Sequence, residues 1–257
     1  MLTLGLVAIA LQQISSPIPG YRLLWNEEFN YRGLPDPKKW TYEVGFVRNG
    51  EKQYYTKDRL ENAMVTNGDL TITARHDGFE KHEVTSASIT TQGKFDFTYG
   101  YIEVRAKIPT GKGTWPAIWT LGSNIGKVGW PLCGEIDIME NVGFDPAKVH
   151  FNVHCKDANK GTHIDVPKVW DDFHTYGLEW KKDKLTWYFD GKSVLGYDKD
   201  SDDPGKWPFN APQYLILNLA IGGNWGGQQG VDESIYPSRY VVDYVRVYQK
   251  VAEHGQG

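Results

Sequence analysis

Gly100-Tyr101-Ile102-Glu103-Val104-Arg105-Ala106-Lys107-Ile108 decides the fold class. Tyr101, Glu103, Arg105 and Lys107 fall on one face, and Ile102, Val104, Ala106 and Ile108 fall on the other. Such two-residue alternation marks a strand that buries one face. Further short runs rich in β-branched and aromatic residues lie at 70–74, 135–140, 149–154, 175–180, 185–189, 214–220 and 240–248. Asp190-Gly191 separates two of them, a strong hairpin signal. Helix signals are weak, and a single turn over 169–173 is the best candidate. Gly and Pro punctuate most of the gaps, and no repeat or linker interrupts the chain. The pattern predicts an all-β, single-domain β-sandwich or jelly roll.

A chain of 257 residues is long enough to bury one core of that kind. With a formal net charge of -4 and no basic block, nucleic acid is not an expected partner. Ten Trp and fifteen Tyr exceed what a core of this size needs. Large flat side chains suit the C–H faces of pyranose rings, although any single Trp reads as well as core. The apolar run over 2–11 is too short to span a bilayer. It resembles the apolar region of a signal peptide, except that no Lys or Arg precedes it. Processing within 10–16 and secretion, extracellular or periplasmic, are expected; an apolar N-terminal arm is the alternative. No other stretch suggests a membrane.

The densest chemistry lies in Gly134-Glu135-Ile136-Asp137-Ile138-Met139-Glu140. Glu135 and Asp137 share a strand face. Strict alternation sends Glu140 to the other face, and one extra residue, a β-bulge at Ile138–Met139, would bring it back. Three unpaired acids cannot sit in a dry core, where each bare carboxylate costs several kcal/mol. They should line a wet cleft and push their proton affinities apart. Glycosidic cleavage needs that arrangement: one carboxylic acid to protonate the leaving oxygen and one carboxylate to attack the anomeric carbon. Four strand steps put the two Glu Cα atoms roughly 13 Å apart, and side chains leaning together reach the retaining separation of about 5–5.5 Å. The competing reading is a set of exposed strand acids or a cation site. The acidic stretch over 198–203 reads as a solvated loop.

The run Trp130-Pro131-Leu132-Cys133-Gly134-Glu135-Ile136-Asp137-Ile138-Met139-Glu140-Asn141-Val142-Gly143 resembles the signature of glycoside hydrolase family 16. Its E-x-D-x-x-E spacing is similar to the laminarinase-like branch, endo-β-1,3-glucanases. Trp25–Phe29, Gln53–Thr56, Tyr99–Arg105, Trp115–Trp119, Val153-His154, Asn218–Gly223 and Asp243–Tyr248 follow in the family's order. The resemblance implies a concanavalin-like jelly roll with a concave glycan-binding cleft and a catalytic domain over 17–257, after a signal peptide over 1–16. It implies Glu135 as nucleophile, Glu140 as general acid/base, Asp137 between them and His154 beside the acid/base. A solvated strand histidine is the other reading of His154. Trp115, Trp130 and Trp225 would carry sugar rings, and Arg105 and Asn49 would be polar cleft positions. Trp119 reads equally as cleft or core. No cofactor is implied for catalysis. A structural calcium on the convex face would use Glu28, the Gly68 backbone and Asp243, oxygen donors that suit a hard cation. The expected partner is a β-glucan polysaccharide, and the expected state is a monomer.

Two rivals are set beside this reading. A galactan substrate (agarose, porphyran or carrageenan) should require a basic cluster in the cleft; Arg48 and Arg105 are the only candidate charges. A non-catalytic lectin on the same sandwich should lack one of the two glutamates, and both are present. No zinc, phosphate-binding or nucleophilic-serine motif occurs. Strand parity points Cys133 toward the cleft and, if His154 faces it too, Cys155 away, so the two are expected to be free thiols.

Overall fold

The structure, a computed structural model, describes residues 14–251. The apolar run expected to be a signal peptide lies outside the described residues. Two antiparallel-dominated sheets pack face to face. The seven-stranded sheet runs in the order Asn159–Asp165, Lys148–His154, Glu135–Glu140, Thr114–Gly122, Gln213–Ile221, Ser88–Thr90 and Thr41–Tyr42. The ten-stranded sheet is centred on Gly100–Lys107 and Ser238–Lys250. This is the β-sandwich that the alternation predicts, and the expected strands appear with bounds shifted by a residue or two.

Parity shows how one strand serves two environments. In Gln213–Ile221, Leu215, Leu217, Leu219 and Ile221 join the main core between the sheets. Tyr214 and Ile216 join a smaller cluster with Ala117, Trp119, Leu121 and Cys133. The main core takes Ile118, Ile136, Ile138, Met139 and Phe151 from the seven-stranded sheet, and Ile102, Val104, Leu178, Trp187 and Val245 from the other. Each such side chain contributes about 1.5–3 kcal/mol by burial. The small cluster floors the outer face of the seven-stranded sheet, where the site lies.

Asp190-Gly191 forms the expected turn, with φ of 46° and 72°. Both residues lie in the left-handed region that a type I′ hairpin demands. Residues 169–173 do not form the expected helical turn. Lys168 takes φ of 61°, the Val169 N–H donates back to Val166, and the segment runs on as turns and bends. The helical pieces among the described residues are instead Phe79–Lys81, Ile125–Val128 and Glu233–Ile235. Thr114–Gly122 was not legible as a strand because Pro116 interrupts the donor ladder of what proves to be a central position. Asn159–Asp165 was missed because it is a largely exposed polar edge strand. The 198–203 stretch is a largely exposed loop, as expected. Both cysteines are free and buried.

Candidate active site

The strand Glu135–Glu140 carries the bulge that the acid spacing requires. Its register with Lys148–His154 slips between Asp137 and Glu140, and its register with Thr114–Gly122 slips between Asp137 and Met139. Ile136, Ile138 and Met139 all enter the core, so one extra residue is absorbed inward. Glu135, Asp137 and Glu140 are thereby returned to one face. They line a groove of about 410 Å³ together with Arg48, Asn49, Trp115, Trp119 and Trp130.

Each acid has a different surrounding. Glu135 is half-buried at the strand's start. It accepts a hydrogen bond from Trp130 Nε1 at 2.7 Å and lies directly across from His154 in the ladder. Burial, the largest effect, raises its pKa above the ordinary carboxylate value, and His154, Trp130, Arg48 and Asp137 limit that rise. Asp137 is buried, with Oδ2 at 3.2 Å from His154 Nε2. Burial and then the charges of Glu140 and Glu135 push its pKa well above the carboxylate range. The ligand atoms of Glu135, Asp137 and His154 all lie within 4.8 Å of one another.

Glu140 is buried and accepts from Trp115 Nε1 at 3.0 Å and from Asn152 Nδ2 at 2.9 Å. Burial foremost, helped by the Glu135 charge, raises its pKa to about 7 against the opposing effect of those two donors. Asn152 can reach Glu140 because its cross-strand neighbour is Gly161. A Cβ on Gly161 would stand 1.8 Å from Asn152 Oδ1. The arrangement therefore holds one carboxyl that is protonated near neutral pH and one nearer solvent that faces the Arg48 cation, the pair required for acid-assisted displacement at an acetal carbon.

Other expected residues divide. Trp115 and Trp130 line the groove, and Trp130 is 59% exposed. Trp225 does not line it. It is half-buried and packs edge-on against Trp115 at 5.5 Å and against His150 at 4.8 Å. Trp119 belongs to both of its readings, since it is buried and forms the groove floor. Asn49 lies on the wall with φ of 58°, donates to Glu51 at 3.2 Å, and accepts from Asn224 N at 2.8 Å through its carbonyl.

Arg105 is a correction. It sits on the ten-stranded sheet, paired with Asp243 and lying 4.6 Å from the Phe173 ring centroid, away from the groove. Its alternation within 100–107 placed it on an outer face, but sequence could not say on which sheet. The two carboxylates of the expected calcium set carry arginine partners. Arg246 holds both oxygens of Glu28, at 2.9 and 2.7 Å, and Arg105 holds Asp243. Only Oδ2 of Asp243 is engaged, so an ion here would have to displace Arg246 from Glu28 but not Arg105 from Asp243.

Sequence reasoning missed Glu43, Glu51, Tyr214, Asn218 and Asn152 around the groove. They come from separate strands and loops, and only the positions of Glu51 beside Asn49 and Asn152 two before His154 hinted at them.

Comparison with known proteins agrees with this geometry. The model of the family "Glycosyl hydrolases family 16" matches residues 50–246. A beta-glucanase of Rhodothermus marinus is 48% identical over 252 residues, covering 92% of this chain and 88% of the relative. The X-ray structure of the laminarinase from Rhodothermus marinus superposes with a TM-score of 0.86 at 46% identity, over 90% of this chain and 98% of that one. SCLam, described as a non-specific endo-β-1,3(4)-glucanase of the same family, superposes with a TM-score of 0.86 at 45% identity, over 92% and 94%.

Proposed function

The chain belongs to glycosyl hydrolase family 16, and from that premise we propose that it is a retaining endo-hydrolase of β-1,3-glucans, acting also on mixed β-1,3-1,4 chains. The observation that carries this reading is the bulged strand, which sets Glu135, Asp137 and Glu140 side by side in a groove walled by Trp115 and Trp130. The beta-glucanase, the laminarinase and the endo-β-1,3(4)-glucanase among its relatives support the substrate class.

Glu140, protonated near neutral pH, gives its proton to the glycosidic oxygen. The Glu135 carboxylate attacks the anomeric carbon, the C–O bond to the leaving sugar breaks, and a glycosyl ester forms. Glu140, now a carboxylate, takes a proton from water as that water attacks the same carbon and releases Glu135. Asp137 retains its proton and steadies the Glu135 carboxylate, with His154 Nε2 at 3.2 Å from its Oδ2. No cofactor takes part. A structural calcium would stand apart from this chemistry and would compete with Arg246 for Glu28.

Secretion and a monomeric state complete the proposal. The apolar run over 2–11 supports the first. N-terminal sequencing of protein recovered outside the cell, and its elution volume, test these two.

Reducing-sugar release by wild type and Glu135→Gln on laminarin, lichenan, agarose and κ-carrageenan tests the function. Activity on laminarin that disappears in the variant is expected. Activity on a galactan alone would keep the mechanism and overturn the substrate. Binding without turnover would point to the lectin reading.

A further inference from the structure

Arg48 lines the groove and is held on several sides. Its Nη2 donates to Glu43, whose other oxygen accepts from Ser88 Oγ at 2.6 Å. The guanidinium carbon lies 4.7 Å from the Trp119 ring centroid, and Trp119 is itself fixed by Asn218 at 2.7 Å. A cation stacked on an aromatic face and ion-paired at one nitrogen has little freedom left.

The ion pair to Glu43 explains Nη2, since it braces the loop over 43–51 internally while Glu43 in turn ties that loop to the strand Ser88–Thr90 through Ser88. It does not explain Nη1, which is buried and has no protein acceptor. Leaving a desolvated donor unpaired is costly, and more so for a charged group. In a ligand groove, a polar group built this way selects for a ligand that brings the missing acceptor. A hydroxyl-rich chain has acceptors along its whole length.

We propose that Arg48 is a substrate-binding, specificity-determining residue whose Nη1–H donates to a hydroxyl oxygen of the sugar unit lying beside Glu135. This rests on the reading of the groove as a glucan hydrolase site. The same fixed charge also faces Glu135 and favours its ionised form. The other titratable groups around Glu135 are Asp137, Glu140, His154, Cys133 and Tyr214. Arg48 is the one among them that is a permanent cation.

The test is kcat and KM on laminarin across pH for wild type, Arg48→Lys and Arg48→Gln, with folding checked by circular dichroism. Lysine keeps the charge and the pairing to Glu43 but has no second fork nitrogen. The expected result is a KM about tenfold higher with the acid limb of the profile unmoved, the size of one lost charge-assisted hydrogen bond. Glutamine removes the charge, so the acid limb should also move to higher pH. A folded Arg48→Lys with wild-type KM would show that the residue only fastens its loop, and would overturn the inference even if Arg48→Gln failed to fold. Wild-type inactivity on laminarin would instead overturn the glucanase reading on which it rests.

Discussion

Trp187, from the opposite sheet, donates its indole N–H to the backbone carbonyl of Asp137 at 2.8 Å, at the residue where the acid-bearing strand begins to bulge. A bulge disrupts the strand ladder locally, and here a buried side chain from the other sheet supplies a donor at its start. The groove chemistry is thus tied to the core. The acids can share one face only while the bulge holds, and the bulge is gripped from below.

Trp187→Phe keeps most of the buried volume and removes that donor. The unfolding free energy should fall by about 1–3 kcal/mol, the cost of leaving a buried polar group unpaired. Urea titration measures it. Because the bulge positions both glutamates, kcat should fall more than KM rises.

Asn152→Ala removes a hydrogen bond that favours ionised Glu140. Glu140 has its pKa raised to about 7 and acts in its protonated form, so activity is lost as pH rises through that value. The variant should hold the proton more tightly, and the basic limb of kcat/KM should move upward by about one pH unit. A downward shift would contradict the assignment of Glu140 as the acid.

Trp130→Phe keeps an aromatic ring at the groove mouth but loses the 2.7 Å bond to Glu135. That bond favours the carboxylate, so the acid limb should move to higher pH. At a site 59% exposed, the melting temperature should stay within a few degrees of wild type.

Burial raises the pKa of both thiols, and Cys155 Sγ donates to the Ala158 carbonyl at 2.7 Å. Buried thiols of this kind are inert. A thiol reagent should label neither cysteine quickly in the native protein and both after denaturation. Dithiothreitol should leave the melting temperature unchanged.

The spacing of Glu135, Asp137 and Glu140 pointed to a bulge, because strand parity is rigid and a shared face needs one extra residue; that Asp137 and Glu140 would be buried beside the groove was not legible. The alternation over 100–108 and the Asp190-Gly191 turn were legible because both are local and follow from backbone sterics. Arg105 was misplaced because the resemblance put it in the cleft, and alternation, which tells only which side of a strand a residue faces, could not show that its strand joins the other sheet. Trp225 packs edge-on against Trp115, a neighbourhood set by a turn and a strand that sequence does not bring together.

The sequence by itself determined the sandwich, the family signature and the acids that share one face, since these depend on periodicity and on residues close in the chain. The tertiary structure alone decided the proton holdings of those acids. Burial of Asp137 and Glu140, the Asn152 and Trp115 donors, the Arg48 charge fixed on Trp119 and the Trp187 grip on the bulge all come from residues far apart in sequence. Proton affinity depends on distance and desolvation in three dimensions, and no local pattern encodes either.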